Sequence, residues 1–160
     1  PLMLENGKLL RCDRPGMPSI DCITENPLSS GNIFKIQNVC GDSGVIAVFN
    51  LDDNNNAVTG KISPTDVDGL NGDEFAIYEH FSREMKILKY NESFNIILKN
   101  SDDFMLYVIV PIINGFAPIG RTDKFISPKT IKWVKGNEIE LVEDGEYAFV
   151  ENGKLIIKAV

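Results

Sequence analysis

The sequence predicts an all-β protein, an antiparallel β-sandwich with a Greek-key-like order of about ten strands and a C-terminal meander. Three observations predict this fold. Apolar residues recur with period 2 almost everywhere, and no amphipathic run of period 3.6 exceeds two turns. Short turn signals separate the apolar runs at regular intervals. The composition, 43% apolar and 24% charged, is that of a chain that buries a core.

The clearest strand is 104–110, which is apolar on both faces and rich in β-branched and aromatic residues. That pattern is typical of a central strand covered on both sides. Most of the remaining strands alternate apolar and polar residues, and they are 33–39, 45–51, 58–63, 75–80, 94–99, 130–135, 138–142, 147–150 and 154–159. Only 82–88 is predicted to form a short helix.

Turn dipeptides order these strands along the chain. Asp144-Gly145 and Asn152-Gly153 are type I′ hairpin signals, and Gly136-Asn137 is a third short connection. Together they predict a C-terminal meander of four short strands. Asn6-Gly7 predicts another hairpin, between 2–4 and 8–10.

Length and charge exclude several classes of protein. At 160 residues the chain is too short for a (β/α)₈ barrel, which needs at least ~200 residues. A formal charge of −7 argues against nucleic-acid or anionic-membrane partners, because both need clustered positive charge. The longest apolar stretch, 104–110, is too short to span a bilayer, and no signal-peptide pattern is seen. We therefore expect a soluble protein.

The three cysteines, Cys12, Cys22 and Cys40, are an odd number and form no Cys-x-x-Cys motif. Disulfide frameworks and zinc ribbons need paired cysteines. We expect free thiols in a reducing, cytoplasmic compartment.

Few residues offer catalytic chemistry. His80 is the single histidine, and its place on a predicted strand favours a half-buried structural residue over a catalytic base. The acidic segment 66–74 places oxygen ligands at alternate positions, but Leu70 and Gly69 break the EF-hand pattern. A solvated turn is the default interpretation there, and calcium binding is the alternative.

Aromatic residues on predicted strands suggest either core packing or a sugar-stacking surface; they are Trp133, Tyr107, Tyr147 and Phe149. Core packing is the default interpretation, because an all-β domain with one tryptophan usually buries it. From the residues alone, the sequence predicts no catalytic, cofactor-binding or metal-binding residue.

One segment carries a resemblance. Leu10-Arg-Cys-Asp-Arg-Pro-Gly-Met-Pro-Ser-Ile-Asp-Cys22 resembles the Arg-x-x-x-Pro-Gly-x-Pro-Thr-x-Asp-Cys signature of the raffinose synthase, seed imbibition protein and alkaline α-galactosidase group, within glycoside hydrolase family 36. Further blocks match in the same order: Asn26-Pro27, Ile33-Phe-Lys-Ile-Gln-Asn38, Gly44-Val-Ile-Ala-Val-Phe-Asn50, Ser63-Pro-Thr-Asp-Val67, Phe75-Ala-Ile-Tyr-Glu-His80 and Phe116-Ala-Pro-Ile-Gly120. The chain departs from the family at Gln37, where members usually carry tryptophan, and at Leu51-Asp-Asp53, where they carry Cys-Gln-Gly.

The resemblance implies a position within a longer enzyme. In that family a catalytic barrel comes first and supplies both carboxylates for a retaining mechanism. Residues 1–22 would then be a post-barrel hairpin and Pro-rich linker, and 23–160 a single non-catalytic C-terminal β-sandwich domain. No catalytic, cofactor or metal residue transfers, and no cofactor is expected.

The partners that the resemblance implies are the catalytic barrel of the same parent chain and an α-galactoside at the domain rim. Candidate residues for docking on the barrel are Arg11, Pro15, Gly16, Pro18, Asp21 and Cys22. A homodimer through the same docking face is a further expectation. The alternative is an autonomous carbohydrate- or calcium-binding β-sandwich module.

Overall fold

The computed structural model describes residues 2–135 and 138–160, which contain thirteen β-strands and three short 3₁₀ helices. The strands are β1 Met17–Pro18, β2 Phe34–Cys40, β3 Ser43–Phe49, β4 Val58–Ile62, β5 Glu74–Glu79, β6 Met85–Lys89, β7 Phe94–Leu98, β8 Phe104–Pro111, β9 Phe116–Arg121, β10 Ile131–Lys135, β11 Glu138–Leu141, β12 Glu146–Glu151 and β13 Lys154–Ala159. The 3₁₀ helices are Ile20–Cys22, Pro64–Asp66 and Ser127–Thr130. The predicted Gly136-Asn137 connection lies outside the described residues.

A six-stranded antiparallel sheet in the order β1-β2-β3-β8-β5-β6 forms the middle of the molecule. Smaller sheets cover both of its faces, β4-β7 on one side and β9-β12-β13 on the other. Alternate side chains of β8 enter the two cores, Tyr107 and Ile109 on one side and Val108 and Val110 on the other. The all-β, antiparallel prediction is confirmed, and the apolar pattern of 104–110 follows from burial on both faces.

The C-terminal strands pair as two hairpins that lie in different sheets. β10 and β11 pair with each other, whereas β12 and β13 form a sheet with β9. The predicted four-strand meander is thus divided, because β9 occupies the edge of β12 that a meander would give to β11. Asn152 and Gly153 have φ of 48° and 79°, as the predicted type I′ turn requires. Asp144-Gly145, in contrast, connects two sheets and does not close a hairpin.

The predicted helix at 82–88 is wrong. β6 lies there and pairs with β5 at the edge of the central sheet, with Phe75 opposite Leu88. A tight turn joins the two strands, and Arg83 adopts a φ of 60° within it. Pairing with an open sheet edge overrides the weak helical pattern of this segment.

Strand β9 was not predicted, because Pro118 and Gly120 interrupt its pattern. Proline is tolerated here since β9 is an edge strand with an irregular register opposite Ala148 and Phe149. The N-terminal hairpin forms at Asn6-Gly7 as predicted, but its strands amount to a single bridge between Met3 and Leu9. Within the described residues, no helix has the length and apolarity needed to cross a membrane.

Candidate functional site

The segment that carries the family signature runs along the edge of the central sheet. Its strand β1 pairs with β2, so that Pro18 lies opposite Ile36. Proline suits this position because an edge strand leaves one row of amide positions unpaired. Gly16 also lies close to β2: a Cβ atom at this position would come 3.0 Å from Cγ2 of Ile36. The backbone N–H of Ser19 donates to the carbonyl of Lys35 at 3.1 Å, which continues the pairing.

A buried lysine connects this segment to the rest of the domain. Lys35 lies on β2 with 1% of its side chain exposed. Its Nζ is 2.6 Å from Oδ2 of Asp21 and 2.5 Å from Oδ1 of Asp66, and it donates to the carbonyl of Lys61 at 3.1 Å. Burial lowers the pKa of Lys35, but the two carboxylates outweigh that effect and the net shift is upward. The ammonium is therefore charged and paired, as a buried cation must be.

The second carboxylate is fixed by its own local structure. Asp66 ends the 3₁₀ helix that Ser63 caps, and its Oδ2 accepts from the Ser63 N–H at 2.9 Å. The Ser63 hydroxyl accepts from the Thr65 N–H in return. Ser19 adds a hydrogen bond from its hydroxyl to the Asp66 carbonyl at 3.1 Å. Three blocks that are far apart in sequence, 10–22, 33–38 and 63–67, thus meet at one ion cluster around the buried Lys35.

Asp68 forms a second connection between β2 and the signature segment, through hydrogen bonds from Gln37 and Arg14. Gln37 is buried on β2 and donates from Nε2 to Oδ2 of Asp68 at 3.1 Å, while Arg14 donates to the Asp68 carbonyl at 2.7 Å. The Oε1 atom of Gln37 has no hydrogen-bond partner among the described residues.

Two carboxylates of the acidic segment 66–74, for which calcium binding was the alternative interpretation, contact side chains of the central sheet. The carboxylates of Asp66 and Asp68 face Lys35 and Gln37 of the central sheet. Across residues 2–135 and 138–160, no group of three or more His, Cys, Asp or Glu side chains is placed to hold a metal ion.

The N-terminal hairpin is attached by another polar cluster. Arg121 is buried and forms ion pairs with Asp123, at 2.8 Å, and with Glu143. Glu143 also accepts from the backbone N–H of Glu5 at 2.8 Å, and Nζ of Lys124 donates to the Met3 carbonyl at 2.8 Å. The N-terminal hairpin is thereby fixed to the loops after β9 and β11.

Four of the six docking candidates contact the central sheet. Gly16, Pro18 and Asp21 contact the central sheet as described, and Sγ of Cys22 accepts from the Lys35 N–H at 3.4 Å. Arg11 and Pro15 are exposed. Docking of these residues on a second domain stays a prediction.

His80 is a buried residue at the end of β5. Its ring packs edge-on against Phe81 and Phe125, at centroid distances of 5.0 and 5.2 Å. Nδ1 makes no hydrogen bond within the part of the chain that the structure describes, and burial lowers the pKa of the ring. A catalytic histidine needs one ring nitrogen on a nucleophile and the other on an orienting acceptor, an arrangement that is not formed here.

The aromatic residues considered for sugar stacking do not form one surface. Tyr107, Tyr147 and Phe149 belong to the cores. Trp133 on β10 is 43% exposed and lies in the wall of a groove of about 420 Å³, against the expectation that a single tryptophan is buried. A larger groove of about 620 Å³ lies beside the ion cluster, between 21–34 and the β4-β7 pair.

Sequence reasoning missed the role of Lys35. The available signal was its phase: in a strand of period 2, Lys35 and Gln37 share a face with Ile33 and Val39, which pack in the core. A charged residue at a core-facing position requires a buried partner.

Comparison with known proteins identifies the family. The model of a family described as raffinose synthase or seed imbibition protein Sip1 matches residues 1–151. The chain belongs to this family. It is 33% identical over 147 residues to a galactinol–sucrose galactosyltransferase of Oryza sativa subsp. japonica, a match that covers 74% of this chain and 19% of the relative. It is 28% identical over 149 residues to a galactinol–sucrose galactosyltransferase of Pisum sativum, with 74% and 18% covered.

The chain thus spans about a fifth of the length of the curated relatives that it matches. Among solved structures, it is similar to one assigned as an α-N-acetylgalactosaminidase of Bacillus halodurans, with 18% identity and a TM-score of 0.45 over 60% of this chain and 20% of the other.

Proposed function

We propose that this chain is a non-catalytic, C-terminal β-domain of a larger enzyme that cleaves or transfers α-galactosyl groups. In this proposal a catalytic (β/α)₈ barrel elsewhere in the parent chain supplies the reacting carboxylates. Family membership and the fraction of the relatives that the chain spans both support it.

The observation that carries the proposal is the use made of the signature residues. Asp21 and Asp66 are both bound to Lys35, and Arg14 is bound to Asp68, so the polar side chains of the motif attach the N-terminal segment to the sheet. A retaining glycosidase needs two carboxyl groups about 5–5.5 Å apart that face a sugar. Carboxylates that neutralise a buried ammonium do not fill that role, so the motif acts on the fold and not on the substrate.

The test compares two proteins. The purified 160-residue chain is assayed with an aryl α-galactoside and with galactinol plus sucrose, and we expect no product above the blank. The full reading frame that encodes this chain is then expressed, and we expect galactosyl release or transfer. Turnover by the 160-residue chain, copurifying with it through two chromatographic steps, would refute the proposal.

A second candidate function is carbohydrate binding at the groove beside Trp133. One observation favours it: the single tryptophan is exposed in the wall of a groove large enough for a monosaccharide. Because the chain has one tryptophan, its fluorescence reports on this groove alone. Titration with galactose and raffinose should change the emission saturably below millimolar concentration if the groove binds sugar. If the emission spectrum does not change and titration calorimetry detects no heat of binding, the result excludes sugar binding at this groove and favours the structural role.

A further inference from the structure

Two cysteines that are 28 positions apart in the sequence are in contact in the fold. Sγ of Cys12 lies 2.8 Å from Sγ of Cys40. Backbone contacts on both sides hold them there: the Asp13 N–H donates to the Val39 carbonyl at 2.9 Å, and the Asp13 carboxylate accepts from the Gly41 N–H. Because the residues next to the two cysteines are hydrogen-bonded to one another, the backbone holds the two thiols in contact.

The two thiols differ in their surroundings. Cys40 is 4% exposed and packs with Val45 and Leu106, whereas Cys12 is only partly buried. The hydrogen bond between the two thiols lowers the pKa of Cys12 and raises the pKa of Cys40, which burial raises further. The ammonium of Lys129, paired with Asp13, also lies close enough to favour the Cys12 thiolate. Cys12 is therefore the thiol that reacts first, and Cys40 is placed to react second.

We propose that Cys12 and Cys40 form a dithiol site that a low-molecular-weight disulfide such as glutathione disulfide converts to an intramolecular disulfide. In the first step the Cys12 thiolate attacks one sulfur of the small disulfide, forms a mixed disulfide and releases one small thiolate. In the second step the Cys40 sulfur loses its proton to solvent and attacks Sγ of Cys12, which releases the second small thiolate. Two protein thiols and one small disulfide thus give one protein disulfide and two small thiols.

The bond would close a loop over residues 12–40, which contains the signature segment from Cys12 to Cys22. It would join the residues after the N-terminal hairpin covalently to the end of β2, where they are otherwise held by hydrogen bonds and ion pairs. Closing a loop of about 30 residues constrains the unfolded chain, and for a domain of this size we expect the melting temperature to rise by about 5–10 °C.

Cys22 provides a matched control in the same segment. Its sulfur contacts backbone groups and Asp21, and burial raises its pKa. Like Cys12, Cys22 is a partly buried free thiol, but the groups that its sulfur contacts are not thiols. We expect it to stay reduced when the other two cysteines are oxidised.

The experiment counts thiols and maps the bond. The reduced chain is incubated with glutathione disulfide, quenched with an alkylating reagent, weighed by mass spectrometry and digested without reduction. We expect one alkyl group on the oxidised chain instead of the three on the reduced control, and no retained glutathione. Apart from the alkyl groups, the mass should be lower by two hydrogen atoms, and a peptide pair should be linked through Cys12 and Cys40. The oxidised chain should melt at the higher temperature given above.

Three variants complete the test. Cys22→Ser should oxidise and gain thermal stability as the unmodified chain does. Cys12→Ser should retain its thiols and show no such gain, and Cys40→Ala should stop at the glutathione adduct on Cys12. Circular dichroism of each reduced variant checks that it is folded. Retention of all three thiols in the unmodified chain, a stable adduct on its Cys12, or a bond that involves Cys22 or a second chain would each overturn the proposal.

Discussion

Replacement of Lys35 by methionine tests the structural role of the ion cluster. Methionine fills a similar volume but removes the ammonium between Asp21 and Asp66. Asp66 has 10% of its side chain exposed, so its carboxylate would be left largely buried with no cation beside it. Breaking one partner out of a buried ion pair typically costs about 3–5 kcal/mol, and we expect a loss of unfolding free energy in that range.

Asp21→Asn is the matched control at the other end of the same lysine. Asp21 has 55% of its side chain exposed, so water solvates its carboxylate and screens its attraction to Lys35. Removing its charge leaves Lys35 paired with Asp66. We therefore expect a cost below about 1 kcal/mol, the range of exposed ion pairs.

The assay is equilibrium unfolding in urea, followed by circular dichroism, for the unmodified chain and both variants. The slopes of free energy against urea must agree among the three proteins before the free energies are compared. A cost of less than 1 kcal/mol for Lys35→Met, or equal costs for the two variants, would refute the assignment of Lys35 as the partner of a buried carboxylate.

Acid supplies an independent check. Burial raises the pKa of Asp66 even beside Lys35, and removal of the ammonium should raise it further. The pKa of Lys35 is raised because two carboxylates outweigh its burial, whereas the one ammonium beside Asp66 does not outweigh the burial of that carboxylate. In Lys35→Met, the folded state therefore takes up a proton at higher pH than in the unmodified chain. The stability difference between the two proteins should narrow as the pH falls from 7 toward 4.

Three further predictions use the same unfolding assay. Glu79→Ala should cost about 3 kcal/mol or more, because the Glu79 carboxylate accepts from three backbone N–H groups, two in the turn after β5 and one on β8; Glu79→Gln should cost less, since it keeps one acceptor oxygen. Gly120→Ala should cost at least about 3 kcal/mol, because φ is 110° and a Cβ would lie 2.0 Å from the Ser127 carbonyl oxygen, whereas Gly69→Ala, with no atom within 4 Å, should cost only about 1–2 kcal/mol. Burial lowers the pKa of His80, so below about pH 6.5 the unfolded chain binds a proton that the folded chain does not. The free energy of unfolding should therefore decrease as the pH decreases, by up to about 1.4 kcal/mol per pH unit. His80→Gln should remove that part of the pH dependence.

Strands with a regular side-chain period could be predicted from the sequence. The apolar run at 104–110 predicted a central strand, and β8 lies between β3 and β5 with a core on each face. The prediction failed where a neighbouring strand decides the outcome. β6 has a weak helical pattern but lies against the free edge of β5, and no local property of 82–88 reports that edge.

The ion cluster could be predicted only in part. The core-facing phase of Lys35 was visible in the sequence and required a buried acidic partner. Twenty-three Asp and Glu residues are available, and the sequence alone does not select Asp66 among them. That selection follows from the capped 3₁₀ helix at Pro64–Asp66, which turns the carboxylate toward β2. Long-range pairing of this kind depends on the fold.

The same cluster explains how a motif with the residue types of an active site can be structural. In the sequence alone, aspartate, arginine and cysteine in a Pro-Gly segment suggest a catalytic or binding site. In the fold, the prolines and Gly16 let the chain lie flat along β2, which brings Asp21 to Lys35 and Cys12 to Cys40. The segment is attached at both ends by polar contacts to elements that follow it in the chain. A family signature placed in this way sets how the N-terminal segment enters the β-domain.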